Sequence, residues 1–141
     1  MYDSFQPSAP VGLMDFVKAA RSRVNELGPA EVERMIAERE DLLVLDVRES
    51  SEHEQGHLPK AMLVPRGILE AAADPGYPKH VPELVAARER PVVTYCATGG
   101  RSAMAAAVLE MMGFDEVYSL AGGIAEWDKA GLPMANEARY V

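Results

Sequence analysis

The only cysteine of this 141-residue chain, Cys96, lies where a thiol can act as a nucleophile. It follows the apolar run 91–95, which is short and rich in β-branched and aromatic residues, as is typical of a buried strand. After a loop, apolar residues at helical spacing over 103–112, followed by Gly113, predict a helix. The thiol is therefore expected between the carboxyl end of a strand and the amino end of a helix, where unpaired N–H groups attract anions.

The loop after the strand has the composition of an anion-binding site. Two glycines allow successive N–H groups to turn inward as a nest, and Arg101 supplies a permanent cation. We predict that Cys96 is a thiolate nucleophile and that Arg101 takes part in catalysis. A buried structural cysteine is the alternative, but it would require none of these neighbours. The predicted anion-binding residues of the loop are Ala97, Thr98, Gly99, Gly100 and Ser102.

Composition narrows the range of functions. The chain is long enough for one domain with its own core, and its 48% hydrophobic and 26% charged residues are ordinary for a globular protein. The net charge of −8, with no basic stretch, argues against a nucleic-acid partner. One cysteine and three scattered histidines offer no metal-ligand spacing, so we expect no metal and no cofactor.

The compartment follows from what the N-terminal region lacks. It has no basic segment followed by an apolar one, and no apolar run in the chain is long enough to span a membrane. A single cysteine cannot form an intramolecular disulfide. We therefore expect a cytoplasmic protein with no membrane partner.

Strand and helix patterns alternate along the chain, which favours an α/β fold with a parallel sheet and helices on both faces. Helices are predicted over 13–24, 29–38 and 124–130, and strands over 42–45, 62–64, 91–95 and 117–120. The stretch 66–90 is interpreted as a crossover on the rim of the site. We divide the chain into a tail and lead-in helix over 1–26, a domain over 27–135 and a tail over 136–141. The lead-in helix is expected to pack on the domain, and a homodimer contact is its alternative role.

Four stretches, taken together, resemble the rhodanese family in order and spacing. They are Asp46-Val47-Arg48, the segment 56–61, the loop 96–102 and the segment 120–127. The resemblance extends over about 27–133. It implies a rhodanese-like open parallel sheet of about five strands with helices on both faces.

The resemblance also implies an activity. That activity is sulfur transfer. As the resemblance implies, Cys96 would take a sulfane sulfur from a donor such as thiosulfate, become a persulfide, and pass the sulfur to a thiol or cyanide acceptor. Asp46, Arg48 and Arg66 are expected in supporting roles, the first two bracing loops. His57 is interpreted as structural, since a thiolate formed by its loop needs no base. Lys60 and His53 depart from the family pattern, away from the loop.

Two other functions stay open. A phosphatase or arsenate reductase of related fold would also use a cysteine, a loop and an arginine, but with five intervening residues. Here four residues separate Cys96 from Arg101, and Tyr95 stands where those enzymes have histidine. A catalytically silent, protein-binding rhodanese-like module is the other alternative. Loss of the cysteine or arginine would mark it, and both are present.

Overall fold

A five-stranded parallel sheet forms the centre of the molecule. The structure is a computed structural model that describes residues 7–136. The strands are β1 (Asn25–Leu27), β2 (Leu43–Asp46), β3 (Met62–Leu63), β4 (Pro91–Tyr95) and β5 (Glu116–Leu120). Their order is β1-β5-β4-β2-β3, and every neighbouring pair is parallel. The α/β fold with a parallel sheet of about five strands is thus confirmed.

Helices connect the strands. Those in residues 7–136 are α1 (Leu13–Arg21), α2 (Pro29–Glu38), α3 (Ser50–Gln55), α4 (Leu69–Ala73), α5 (Pro82–Val85), α6 (Gly100–Met111) and α7 (Gly123–Lys129). The bounds of α2 agree with the prediction, because Pro29 at its first position is pre-set for a helix. The α6 helix begins at Gly100, three residues before the first residue of the predicted pattern, so the loop after Cys96 is shorter than expected.

The sheet is covered on both faces, as predicted. Val92 packs with residues of α4, α5 and α6 on one face. Val93 and Tyr95 point to the other face, where they pack with Val32 of α2 and Trp127 of α7. Because successive strand residues face opposite sides, a strand covered on both faces is apolar throughout. All five residues of β4 are buried.

The α1 helix packs on α6 rather than on the sheet. Ala20 of α1 is fully buried against Ala103 and Ala107 of α6. Small side chains at these positions let the two helix backbones approach closely. The packing brings the apolar face of α1 beside the loop that begins at Cys96, since Val17 is also buried there.

Three features differ from the sequence-based expectations. The β1 strand was not predicted, because its three residues are largely exposed and lack an apolar pattern. The polar α3 helix was not predicted either, and none of its residues is buried. The stretch 66–90 is the predicted crossover, since it connects β3 to β4, but its helices pack against the sheet through buried residues such as Leu69 and Leu84 instead of lying only on the rim.

The ends of the predicted tails, residues 1–6 and 137–141, lie outside the described residues. Within the described part of the chain, no helix is both long and apolar enough to cross a membrane.

Candidate active site

The strand order places Cys96 at the middle of the sheet edge. It directly follows β4, which has β2 on one side and β5 on the other. The carboxyl ends of parallel strands form the edge where open α/β sheets bind ligands. Cys96 is only 1% exposed, so its sulfur is almost completely covered by the surrounding residues.

Two backbone N–H groups converge on the sulfur. The Gly99 N–H donates to Cys96 Sγ over 3.1 Å, and the Ser102 N–H donates over 3.3 Å. The Cys96 thiol donates to Ser102 Oγ at 3.5 Å. Gly99 caps α6 with φ of +109°, a left-handed conformation that favours glycine. The loop can therefore stabilise negative charge on the sulfur with fixed backbone dipoles.

Buried hydroxyl groups of β4, β5 and α6 hold the loop in place through hydrogen bonds. Ser102 Oγ donates to the Gly99 carbonyl over 3.2 Å and lies 2.9 Å from Ser119 Oγ of β5. Thr94 Oγ1 of β4 donates to the Ser102 carbonyl over 2.9 Å. Ser102, Ser119 and Thr94 are fully buried, so each polar atom relies on these partners. Sequence analysis missed Thr94 and Ser119, whose only signal was a hydroxyl inside an apolar strand.

The start of α7 holds the loop from the other side. The Ile124 N–H donates to the Cys96 carbonyl over 2.9 Å, and the Ala125 N–H donates to the Ala97 carbonyl over 3.1 Å. A Cβ at Gly123 would stand 2.5 Å from both of these carbonyl oxygens. Only glycine allows this approach, which explains why the turn over 121–123 belongs to the site.

Arg101 is held by a partner that sequence analysis missed. Its guanidinium donates twice to the Glu52 carboxylate of α3, over 2.9 and 3.0 Å. Hydrogen bonds from Arg101 lower the pKa of Glu52 to about 2, and the same contact raises the pKa of Arg101. The negative charge of a Cys96 thiolate also favours the charged guanidinium. No sequence signal pointed to Glu52, because the helix that carries it was not predicted.

The Arg101–Glu52 pair predicts a specific pH dependence of stability. Well above pH 4.5, the ordinary pKa of a glutamate, Glu52 is ionised in both folded and unfolded chains, and the pair contributes fully. As the pH falls from 4.5 to about 2, the unfolded chain binds the proton first, so the contribution is lost. We expect the difference in melting temperature between wild type and Glu52→Gln to shrink over this range, as measured by thermal unfolding at a series of pH values.

The control is Glu54→Gln, which removes one charge from an exposed position of the same helix. A difference in melting temperature between wild type and Glu52→Gln that stays constant from about pH 6 to about pH 2.5 would contradict a charged pair with Arg101.

A second polar network lies at the end of β2. Arg48 donates to Asp46 through Nε and Nη2, over 3.0 and 2.9 Å, and to the Gly56 carbonyl over 2.7 Å. Tyr95 donates its hydroxyl to Asp46 over 2.8 Å, and His53 Nδ1 lies at the same distance. Burial alone would raise the pKa of Asp46, but hydrogen bonds from Arg48 and His53 outweigh it and lower the pKa. This network ties β2 and β4 to the chain before β3.

Two other candidate residues have partners away from the sulfur. Arg66 donates to Glu70 over 2.9 Å, and it does not line the cavity at Cys96. His57 is buried, stacks on the His53 ring with centroids 4.0 Å apart, and its Nδ1 lies 2.9 Å from the Leu58 carbonyl. Over residues 7–136 no group of three or more His, Cys, Asp and Glu side chains could hold a metal ion.

A cavity of about 280 Å³ opens above Cys96. The loop forms its floor, and the α1 helix forms one wall together with Met104 of α6. The α1 helix therefore contributes to the wall of this cavity, and none of the residues that line it belongs to the stretch 66–90. The wall residues contributed by α1 are Leu13, Met14, Val17 and Arg21.

Comparisons with known proteins agree with this geometry. The family model described as "Rhodanese-like domain" matches residues 28–130. A "Sulfurtransferase" of Allochromatium vinosum is 34% identical over 111 residues, which cover 79% of this chain and 94% of that protein. A "tRNA uridine(34) hydroxylase" of Cytophaga hutchinsonii is 32% identical over 127 residues, 90% of this chain but only 39% of that protein.

Solved structures give the same fold. A Rhodopseudomonas palustris protein of unknown function, described as a possible tyrosine phosphatase, superposes with a TM-score of 0.82 at 29% identity, covering 94% of this chain and all of that one. The polysulfide-sulfur transferase homodimer of Wolinella succinogenes superposes with a TM-score of 0.67 at 29% identity, covering 88% and 87% of the two chains. On its sequence match and its fold, this chain belongs to the rhodanese-like family.

Proposed function

We propose that this protein is a sulfurtransferase that carries a sulfane sulfur on Cys96 as a persulfide. The observation that supports this most is the pair of N–H groups, from Gly99 and Ser102, directed at the sulfur over 3.1 and 3.3 Å. A persulfide is an anionic group at neutral pH, and fixed donors around it stabilise the charge that moves outward when sulfur is added. The sulfurtransferase from Allochromatium vinosum, similar over nearly its whole length, adds support.

Each half of the reaction balances without a cofactor. The Cys96 thiolate attacks the outer sulfur of thiosulfate, the sulfur–sulfur bond of the donor breaks, and its electron pair leaves with sulfite. In the second half, cyanide or a thiolate attacks the outer sulfur of the persulfide. The new bond gives thiocyanate or a new persulfide, and the electron pair returns to Cys96. One cysteine is sufficient, because no resolving thiol is required.

Arg101 has a role that follows from its partner. Arg101 lines the cavity, and Glu52 holds its guanidinium by two hydrogen bonds. In this position it contributes positive potential near the sulfur of Cys96. A phosphatase would require arginine donors for the equatorial oxygens of a phosphoryl group. With both Arg101 contacts occupied by Glu52, the geometry favours sulfur transfer over phosphate chemistry.

The test compares two substrates on the wild-type protein. After incubation with thiosulfate, we expect the intact mass to increase by one sulfur atom, located on Cys96 by peptide mapping. Addition of cyanide should restore the original mass and release thiocyanate. An aryl phosphate should be hydrolysed no faster than in buffer, because four residues between Cys96 and Arg101 leave a cradle too small for a phosphoryl group.

The opposite pattern would overturn the proposal. Rapid phosphate-ester hydrolysis with no gain of sulfur would assign phosphatase chemistry, as suggested for the similar Rhodopseudomonas protein. Neither activity, combined with normal folding, would favour the protein-binding module.

A further inference from the structure

Two buried hydroxyl groups, which we call the hydroxyl pair, connect β5 to the sulfur of Cys96. They belong to Ser102 and Ser119. Ser102 Oγ lies 3.5 Å from Cys96 Sγ and 2.9 Å from Ser119 Oγ. Both serines are 0% exposed. Ser119 does not line the cavity at Cys96, so it can act on the reacting sulfur only through Ser102.

The surroundings of Ser119 determine which way its hydroxyl proton points. Within residues 7–136, Ser102 Oγ is the only hydrogen-bond partner of Ser119 Oγ. If Ser102 donated to Ser119, the buried Ser119 proton would have no acceptor, and an unsatisfied buried donor is costly. Ser119 therefore donates to Ser102. The proton of Ser102 is then free to point either at the Gly99 carbonyl, 3.2 Å away, or at the sulfur of Cys96.

The two acceptors of the Ser102 proton suit different states of the cysteine. While Cys96 is a thiol, its own proton points at Ser102 Oγ, and Ser102 donates to the Gly99 carbonyl. When Cys96 ionises, its proton leaves to a base in solution, and the charged sulfur attracts the Ser102 hydroxyl proton. That proton rotates toward the sulfur without leaving its oxygen. The thiolate thus gains a third donor besides the N–H groups of Gly99 and Ser102.

We propose that Ser119 is a positioning residue, which keeps the Ser102 hydroxyl available as a donor to the Cys96 thiolate. A hydroxyl that accepts a hydrogen bond is polarised and becomes a stronger donor. Once Cys96 is ionised, Ser119 is the only donor to Ser102 Oγ among the described residues, whereas the thiol of Cys96 is a second donor before ionisation. Ser119 therefore stabilises the thiolate more than the thiol.

This stabilisation acts in both halves of sulfur transfer, and here the inference rests on the proposed function. In the first half, the thiolate is the nucleophile that attacks the sulfane sulfur of the donor. In the second half, the acceptor attacks the outer sulfur of the persulfide and the sulfur–sulfur bond breaks. Its electron pair returns to Cys96, which leaves as a thiolate again. A hydroxyl that stabilises the thiolate therefore assists both steps.

The first test is the alkylation of Cys96 by iodoacetamide as a function of pH. On the acid side of the profile, where the thiolate is scarce, we expect Ser119→Ala to slow alkylation about two- to five-fold relative to wild type. At alkaline pH, where every copy of Cys96 is ionised, the two rates should converge. Ser119→Thr keeps the hydroxyl and should restore the wild-type profile. An equal slowing at every pH would indicate a purely structural role and would overturn the inference.

A double-mutant cycle tests whether Ser119 acts through Ser102. In the Ser102→Ala background, Ser119→Ala should not slow alkylation further, because no hydroxyl remains between β5 and the sulfur. It should also recover stability in urea denaturation, since Ser102→Ala alone leaves the Ser119 hydroxyl without its acceptor. Further slowing in that background would overturn the inference. This comparison is decisive even where Ser119→Ala alone is too unstable to assay.

Tyr118→Phe is the matched control. It removes a hydroxyl from the neighbouring position of β5, whose side chain points to the other face of the sheet. The Tyr118 hydroxyl donates to Glu116 over 2.7 Å and has no contact with the hydroxyl pair. The alkylation profile of Tyr118→Phe should match that of wild type. A change equal to that of Ser119→Ala would also overturn the inference.

Release of sulfur separates this inference from the proposed function. After loading with thiosulfate, Ser119→Ala should form thiocyanate from cyanide about two- to five-fold more slowly than wild type, because the leaving thiolate is less stabilised. Normal loading with equal release rates would leave the proposed function standing and remove the inference. No loading of the wild type would remove the proposed function, while the alkylation profiles would still decide the role of Ser119.

Discussion

We expect Cys96→Ser to abolish the gain of sulfur from thiosulfate and to lower thiocyanate formation about a thousand-fold or more. Serine fits the same space and can still accept hydrogen bonds from the N–H groups of Gly99 and Ser102. Its hydroxyl, however, is not ionised at neutral pH and is a poor acceptor of sulfane sulfur. Intact-protein mass spectrometry and a thiocyanate assay measure the two effects.

The chain itself supplies the control for this variant. Cys96 is the only cysteine, so Cys96→Ser has no other thiol on which sulfur could be carried. Thermal unfolding should show that the variant remains folded. Persistent sulfur uptake by the folded variant would mean that the carrier is not a cysteine.

Gly123→Ala is expected to have a large effect although it leaves the reactive groups unchanged. Gly123 has φ of +62°, a conformation that costs an alanine about 1–2 kcal/mol. In addition, the new Cβ would stand 2.5 Å from the carbonyl oxygens of Cys96 and Ala97, and relieving such overlap typically costs about 1–3 kcal/mol. We expect a loss of unfolding free energy of about 2–5 kcal/mol, measured by urea denaturation, together with loss of sulfur transfer.

Gly131→Ala is the matched control. Gly131 also has a positive φ, +73°, but nothing lies within 4 Å of where its Cβ would be. It should show only the backbone cost of about 1–2 kcal/mol and normal sulfur transfer. Equal losses in the two variants would show that the contact between α7 and the Cys96 loop does not hold the site in place.

The centre of the site could be predicted from sequence because its signals are local. An apolar strand, a glycine-containing loop and the start of a helix adjoin one another along the chain around Cys96. The turn containing Gly123 lies in the segment 120–127, which carried part of the family resemblance, but the hydrogen bond from Ile124 to the Cys96 carbonyl was not predicted. Glycine pairs indicate turns by themselves, whereas the surface that a turn approaches depends on the tertiary fold.

The surroundings of the site could not be predicted, because they depend on contacts between distant segments. Glu52 meets Arg101 across 49 positions of the chain, and no sequence pattern pairs them. The β1 strand is short and largely exposed, and it is a strand only because β5 offers it an edge. The α1 helix had a clear apolar pattern, but the pattern does not say which surface the apolar face covers. The alanines of α6 allow α1 to pack closely on that helix, and this packing places the apolar face beside Cys96.

The burial of the Cys96 sulfur affects which molecules can react at the site before and after a sulfur is added. At 1% exposure the Cys96 sulfur offers very little surface to a reagent. A sulfur–sulfur bond is about 2 Å long, so the outer sulfur of a Cys96 persulfide would lie about 2 Å beyond the Cys96 sulfur. On the proposed function, the outer sulfur of the persulfide would therefore be more accessible to an acceptor than the free Cys96 sulfur is to a donor. Loading and unloading can therefore differ in the size of molecule they admit, without any movement of the backbone.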